Sequence, residues 1–240
     1  MIMNKQTDFK TGPLAGKNYD RFEQAMPWYN EIEELLATTL AAKLRGIKDP
    51  QVLELGCGTG LTTEKIMKHV PNCHLVAIDS SRRMIIEARK RVRSKNITWM
   101  HTDATEYVCK AISNNYDAVV SAFMIHNLTP EQRRMLFKGI CNVVRIRGGW
   151  FINADKYARN NEAKHLADLA DQLLHFDVFN DDPAYRLKWT VHYLLDEKIR
   201  FTEKDQIDLL RNVDVLNHVT CRFTFRRRME ALFSARIITE

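Results

Sequence analysis

The sequence predicts a doubly wound α/β fold. Three observations carry that prediction: short apolar segments alternate with amphipathic helical ones between 51 and 154, a glycine-rich turn follows the first apolar segment, and an acidic residue closes the second. The expected strands are Val52–Leu55, Leu75–Ile78, Ile97–Met100, Ala118–Ala122 and Trp150–Ala154. Helical spacing over Thr62–His69, Arg82–Arg93 and Pro130–Val144 supplies the crossovers, whose right-handedness makes the strands parallel and covers both faces of the sheet.

The flanks read differently. Residues 1–18 are polar and carry Gly12, Pro13 and Gly16, an irregular lead. From Tyr19 to Lys43, Phe22, Met26, Ile32, Leu35, Leu36 and Leu40 recur at helical spacing with a break at Pro27, so a helical cap is expected over 18–46. After Asp155 the alternation gives way to a helical stretch rich in histidine and aromatic residues, an expected lid insert over 160–197. A helix follows from Thr202, as N-cap, to Asn212, and His218 to Ile238 alternates as a hairpin with Arg226, Arg227 and Arg228 near its turn. No linker composition interrupts the chain, which reads as a single domain over 1–240.

The 240 residues, 45% hydrophobic and 28% charged, are enough for a folded core and exclude a largely disordered polymer. No apolar run approaches a membrane span, and MIMNKQTDFKTG lacks the apolar centre of a signal peptide, so a cytoplasmic location is expected. Five scattered cysteines without a CxxC pair suit neither a disulfide framework nor a zinc site. The net charge of +6 is a modest excess, compatible with an anionic partner such as nucleic acid and equally with none.

In an open parallel sheet, ligands bind beyond the carboxyl ends of the strands where strand order reverses. There, VLELGCGTG runs from a strand straight into Gly56, Gly58 and Gly60, which let the backbone turn sharply and approach a ligand. The spacing is G-x-G-x-G. A dinucleotide fingerprint would need glycine where Leu61 stands, which turns the reading away from NAD and FAD. Asp79 follows at the end of the next strand, where a carboxylate can accept both hydrogen bonds of a ribose diol. Taken singly, the glycines could make a plain strand-to-helix turn and Asp79 could cap a helix; together they read as a nucleoside-binding pair.

Glu54-Leu55-Gly56-Cys57-Gly58-Thr59-Gly60 resembles the first motif of the class I S-adenosylmethionine (SAM)-dependent methyltransferases, and the resemblance runs from about Tyr19 to the C-terminus. It implies a Rossmann-like methyltransferase fold with seven strands, the last antiparallel, in keeping with the C-terminal hairpin pattern. It also implies that Glu54, Gly56, Cys57, Gly58 and Gly60 line the methionine part of SAM, that Asp79 holds the ribose, and that Ser80 and Met84 border the adenine. Asp103-Ala104 is similar to the family's adenine-contacting motif, and Tyr116 to Leu128 to its fourth motif, which would put Ser121 and Ala122 beside the ribose or sulfonium. YDRFEQAMPWY, Tyr19 to Tyr29, resembles the cap of small-molecule and tRNA-modifying members, including carboxy-SAM synthase, in which the residue matching Tyr29 touches the cofactor. The arginine that those synthases direct at the extra carboxylate corresponds to Asp208, a departure that counts against that activity.

Methyl transfer from a sulfonium can proceed largely by positioning. An acceptor hydroxyl or ammonium must still lose a proton, and His126, after the fourth strand, is the candidate base, with Asp155 at the end of the fifth to orient it or to hold an amine. Either could instead be structural, His126 as a loop residue and Asp155 as a helix cap. Trp28, Tyr185, Trp189 and Tyr193 could form an aromatic lid over a substrate, or pack the insert onto the sheet. His192 sits about one turn from Trp189 and Asp196, no His/Cys/Asp cluster at metal-ligand spacing surrounds it, and no metal is expected. Arg222 to Arg228 mixes cations with phenylalanines; outward arginines on a hairpin explain it as well as a nucleic-acid surface does.

The expected activity is methyl transfer from SAM to an oxygen or nitrogen of a small molecule, leaving S-adenosyl-L-homocysteine. The alternatives are a tRNA-modifying methyltransferase or carboxy-SAM synthase, and a SAM-binding protein without catalysis.

Overall fold

The computed structural model describes residues 16–112, 115–145, 147–212 and 216–239. The irregular lead expected at the N-terminus falls almost wholly outside them. Seven strands form one sheet in the order β3-β2-β1-β4-β5-β7-β6. They are β1 (Gln51–Leu55), β2 (His74–Asp79), β3 (Ile97–His101), β4 (Ala118–Ala122), β5 (Arg147–Lys156), β6 (Leu216–Arg227) and β7 (Glu230–Thr239). The first five pair in parallel, while β7 runs antiparallel to both β5 and β6. Strand order therefore reverses between β1 and β4, the position where a ligand crevice opens.

The helices are α1 (Tyr29–Lys43), α2 (Leu61–His69), α3 (Arg82–Arg91), α4 (Ala104–Lys110), α5 (Pro130–Val143), α6 (Glu162–His175), α7 (Pro183–Asp196) and α8 (Glu203–Arg211). Alternate strand residues feed two cores. Val52, Val120 and Ile152 face the apolar side of α1 and α2, whereas Leu53, Val119 and Phe151 face α5 and α8. A period of two with apolar residues on both faces is what a strand buried between helical layers requires. Sequence signals set several ends: Thr129 and Gln132 form a reciprocal capping box before Pro130, and Thr202 with Asp205 forms another.

Two boundaries differ from the sequence expectation. Tyr19 belongs to a 3-10 segment, Gly16–Ala25, and the regular helix starts only at Tyr29, beyond Pro27. Strand β5 extends through Asp155 and Lys156, because β7 pairs with it residue for residue as far as Glu230.

The stretch between β5 and α8 packs through rings. Phe22 stacks on Trp189 with centroids 3.9 Å apart, and Phe176 meets Tyr193 edge-on at 5.1 Å. Arg21 reaches across to Asp181 at 3.0 Å and joins the N-terminal 3-10 segment to the start of α7. The hairpin arginines are engaged within the chain: Arg226 pairs with Glu203 at 2.6 Å, Arg228 with Asp171 at 2.7 Å, and Arg227 lies over Trp28. That arrangement favours the hairpin reading of the Arg222–Arg228 run. Among the described residues no helix is long and apolar enough to cross a membrane.

Candidate active site

A cleft of about 970 Å³, counting its open mouth, lies over the carboxyl ends of β1 and β4. One wall is the turn that leaves β1. Gly56 has φ +70, and a Cβ there would stand 2.5 Å from Met124 Cγ, so only glycine lets this turn pass under the loop after β4. Gly58 has φ +54, and a Cβ there would meet nothing within 4 Å, so the bare backbone faces open space. Its N–H donates to Asp79 Oδ2 at 3.0 Å, while the N–H of Ser81 donates to Oδ1 at 2.7 Å. Two backbone donors thus aim the Asp79 carboxylate, an acceptor-only group of the kind that suits a diol.

Beyond Asp79 the cleft is lined by Ser80, Met84, Asp103, Ala104 and Thr105. Asp103 caps α4, its Oδ1 accepting from the N–H groups of Thr105 and Glu106. The opposite end is lined by Tyr19, Tyr29, Glu33 and Thr62. Thr62 Oγ1 donates to Glu33 Oε1 at 2.7 Å and Lys65 Nζ to Oε2 at 3.0 Å, while burial raises the carboxyl's pKa. Tyr29 also stacks on Phe123, with centroids 4.9 Å apart. Phe123 itself has φ +51, a left-handed conformation that costs a phenylalanine energy, held at the end of β4.

Of the cofactor residues expected from sequence, Tyr29, Gly56, Cys57, Gly58, Asp79, Ser80, Met84, Asp103 and Ala104 come together in this cleft. Glu54, Gly60 and Ser121 do not line it. Glu54 is 1% exposed and accepts from Thr63 Oγ1 at 2.7 Å, bracing the turn from behind, and burial pushes its pKa up to about 8. Gly60 is the left-handed residue before α2, and Ser121 is fully buried within β4. Glu33 and Thr62, on α1 and α2, also line the cleft and have no role assigned from the sequence, because each lies just outside a recognised motif; Tyr19 opens the cap stretch Tyr19 to Tyr29, of which only Tyr29 is given a cofactor contact.

His126 and Asp155 are brought together outside the cleft. His126 Nδ1 lies 2.5 Å from Asp155 Oδ1, and the His126 backbone N–H donates to Oδ2 at 3.1 Å. Both are buried, and His126 borders a second, smaller cavity with Lys156 and Asp196. The Lys156 ammonium contacts Asp196 Oδ2 and lies over the Tyr193 ring, and burial lowers its pKa. The aromatic lid is corrected: Tyr185, Trp189 and Tyr193 pack with Phe22, Phe176 and Phe179 and do not line the cleft, because their apolar area is spent on joining α7 to the N-terminal segment. Trp28 lies under Arg227, likewise off the cleft. Asp208 is on the outer face of α8, paired with Lys204 at 2.7 Å, so it bears on no ligand in the cleft.

The shape fits SAM: a bare glycine turn at the middle, a carboxylate fixed for a ribose diol, an apolar and amide-edged pocket at one end and a carboxylate-tyrosine group at the other. Residues 52–148 match the family model described as a methyltransferase domain. The malonyl-[acyl-carrier protein] O-methyltransferase of Bacillus cereus is 31% identical over 139 residues, covering 57% of this chain and 49% of that protein. The carboxy-S-adenosyl-L-methionine synthase of Aeromonas salmonicida is 26% identical over 145 residues, 60% of this chain and 58% of that one. The chain therefore matches about half the length of these curated relatives. Among solved structures, the plantazolicin methyltransferase BpumL, crystallised with a monoazolic desmethylPZN analog and SAH, superposes with a TM-score of 0.68 at 15% identity, over 98% of this chain and 94% of that one. The N-methyltransferase NodS of Bradyrhizobium japonicum, with S-adenosyl-L-homocysteine, gives 0.57 at 21% identity, over 89% and 88%. Fold and strand order define the class as a Rossmann-like, doubly wound α/β protein. Through the stretch that matches the methyltransferase domain, the chain is similar to the class I SAM-dependent methyltransferases.

Proposed function

We propose that this chain transfers a methyl group from SAM to an oxygen or nitrogen of a small-molecule acceptor. The observation that carries this reading is the Asp79 carboxylate held by Gly58 and Ser81 at the strand-order reversal, facing the bare glycine turn. When bound, SAM supplies an electrophilic methyl group with a neutral thioether as leaving group. The chain's own residues do the rest. Asp79 fixes the ribose, Asp103, Met84 and Ser80 bound the adenine, and Glu33 with Tyr19 and Tyr29 receives the amino-acid end. The acceptor is taken at the carboxyl ends of β4 and β5, where Asp155 holds His126 Nδ1; Nε2 receives the acceptor's proton once this buried pair, which lies outside the cleft, opens toward it.

The carboxy-SAM alternative is less well supported by the chemistry of the cleft. Among the described residues, no arginine or lysine lines it, so an additional carboxylate meets no cation from them. Two of the curated relatives named above are an O-methyltransferase and a carboxy-SAM synthase, and the first agrees better with a cleft of this composition. A tRNA substrate would need cationic surface free to meet phosphate, whereas the hairpin arginines are committed to Glu203, Asp171 and Trp28.

The test is native mass spectrometry of the purified protein, followed by calorimetry with SAM and an acceptor screen read as S-adenosylhomocysteine release. Retained or added SAM with release on some acceptor supports the reading. Retained carboxy-SAM, or steep loss of tRNA affinity with salt, would move it to the tRNA pathway. Failure to bind SAM would overturn it, and binding without turnover across acceptors would leave a SAM-binding protein.

A further inference from the structure

We propose that His126, His192 and Asp196 form a site for a divalent transition-metal cation at the joint between the sheet and α7. Each offers one donor atom, and the three atoms lie within 4.8 Å of one another. Two imidazoles and one carboxylate suit zinc, cobalt(II), nickel(II) or iron(II), whereas magnesium and calcium prefer all-oxygen sites. His192 and Asp196 stand four residues apart on α7 and so share a face. The third donor comes from the 3-10 turn after β4, distant in sequence, which is why ligand spacing along the chain does not reveal the site.

Two further observations point the same way. First, Asp155 Oδ1 holds His126 Nδ1 at 2.5 Å, the arrangement by which a carboxylate orients a metal-binding imidazole and raises its basicity, with Nε2 as the donor. Second, a buried carboxylate here lacks hydrogen-bond partners. Asp155, Asp196 and Glu230 are three buried carboxylates near the Lys156 ammonium, which contacts Asp196 and stands opposite Glu230 in the β5–β7 register, and near the Arg133 guanidinium, which donates to the His126 carbonyl oxygen. Neither carboxylate oxygen of Glu230 has a hydrogen-bond partner among the described residues. Buried carboxylates favour a nearby cation, and a bound dication adds to the compensation that Lys156 and Arg133 supply. A small cavity adjoins two of the three proposed ligands, His126 and Asp196.

A bound ion would tie α7 to the end of β4 and fix the insert over the sheet. It would also take the His126 Nε2 atom assigned to the acceptor's proton, so an occupied site would be an inhibited one; this corollary alone rests on the proposed methyl transfer.

The test is titration of the metal-stripped full chain with cobalt(II) chloride, read by its visible d–d absorption, with zinc(II) as competitor. One cobalt per chain, displaced by zinc, is expected. His192→Ala and Asp196→Asn should weaken uptake at least tenfold while circular dichroism and the melting transition report a folded chain; His192→Gln serves if the alanine variant does not fold. Absence of uptake by the unmodified chain overturns the proposal. So does uptake that persists in the folded variants, or that carries the sulfur-to-metal charge-transfer band expected of binding at the exposed Cys109.

Discussion

His126 and Asp155, from two neighbouring parallel strand ends, share a 2.5 Å contact between Nδ1 and Oδ1, and the same carboxylate accepts the His126 backbone N–H. The ring is therefore fixed in one orientation and one tautomer. If the acceptor must lose a proton, His126→Ala should lower kcat about a hundredfold or more, the usual contribution of a positioned base. Asp155→Asn should lower it as well, by favouring the wrong tautomer. SAM affinity should change less than about threefold in both. Stopped assays of S-adenosylhomocysteine release alongside calorimetry make the comparison; undiminished kcat in His126→Ala would assign the reaction to positioning alone.

Asp79 joins the glycine turn to the ribose position, so its removal acts twice. Asp79→Ala deletes the diol acceptor and leaves the N–H groups of Gly58 and Ser81 without their carboxylate. SAM binding should weaken at least tenfold, about 1.4 kcal/mol. Unchanged affinity by calorimetry would mean that the nucleoside binds elsewhere.

The order of strands, the glycine turn and most of the adenine and ribose residues were legible because each is local: a period of two, a G-x-G-x-G run after a strand, an acidic residue at a strand end. The aromatic insert was not, since a ring at helical spacing packs or lines a pocket with the same sequence signature, and only the stacking of Trp189 on Phe22 decides. Glu54 shows a related limit. Its place in the motif is readable, but whether the carboxyl points into the cleft or back toward Thr63 depends on α2, which the motif does not encode.

That buried Glu54 makes a pH prediction. Burial pushes its pKa from 4.5 to about 8 in the folded chain. Between those values the unfolded chain releases a proton that the native chain keeps, so stability falls as pH rises through the window, by up to about 1.4 kcal/mol per pH unit. Below about 4.5 the penalty is absent, and above about 8 it is constant. Glu54→Gln keeps the bond from Thr63 and cannot ionise. Urea unfolding at pH 5, 6.5 and 8 should show the variant gaining on the parent chain as pH rises; parallel profiles would show that Glu54 titrates normally.

Gly56 tests the turn itself. Alanine there meets two obstacles, a φ of +70 and a Cβ 2.5 Å from Met124 Cγ. Gly56→Ala should destabilise the chain by roughly 1–3 kcal/mol and weaken SAM binding. Shortening the neighbour in Gly56→Ala with Met124→Ala removes the 2.5 Å contact with Cγ but leaves the 2.8 Å contact with the β-carbon of position 124 and the backbone strain, so the double variant should recover only part of the loss. Full recovery in thermal melts would show that steric contact, and not the left-handed backbone, makes glycine necessary.

Asp20 ties the N-terminal 3-10 segment to the cofactor loop, accepting from Thr59 Oγ1 at 2.6 Å and pairing with Arg91 of α3. Thr59 and Tyr19 both line the cleft, so this contact closes one side of it. Asp20 does not itself line the cleft, and Asp79 and Asp103 keep their own hydrogen bonds without it. Asp20→Ala should therefore act on the rate of cofactor exchange more than on the contacts the cofactor makes. Stopped-flow displacement of bound SAM is expected to show dissociation accelerated severalfold with a smaller change in association. A dissociation rate equal to that of the parent chain would mean that the stacking of Phe22 on Trp189 and the Arg21–Asp181 pair hold the segment down without Asp20, and that opening occurs at another edge of the cleft.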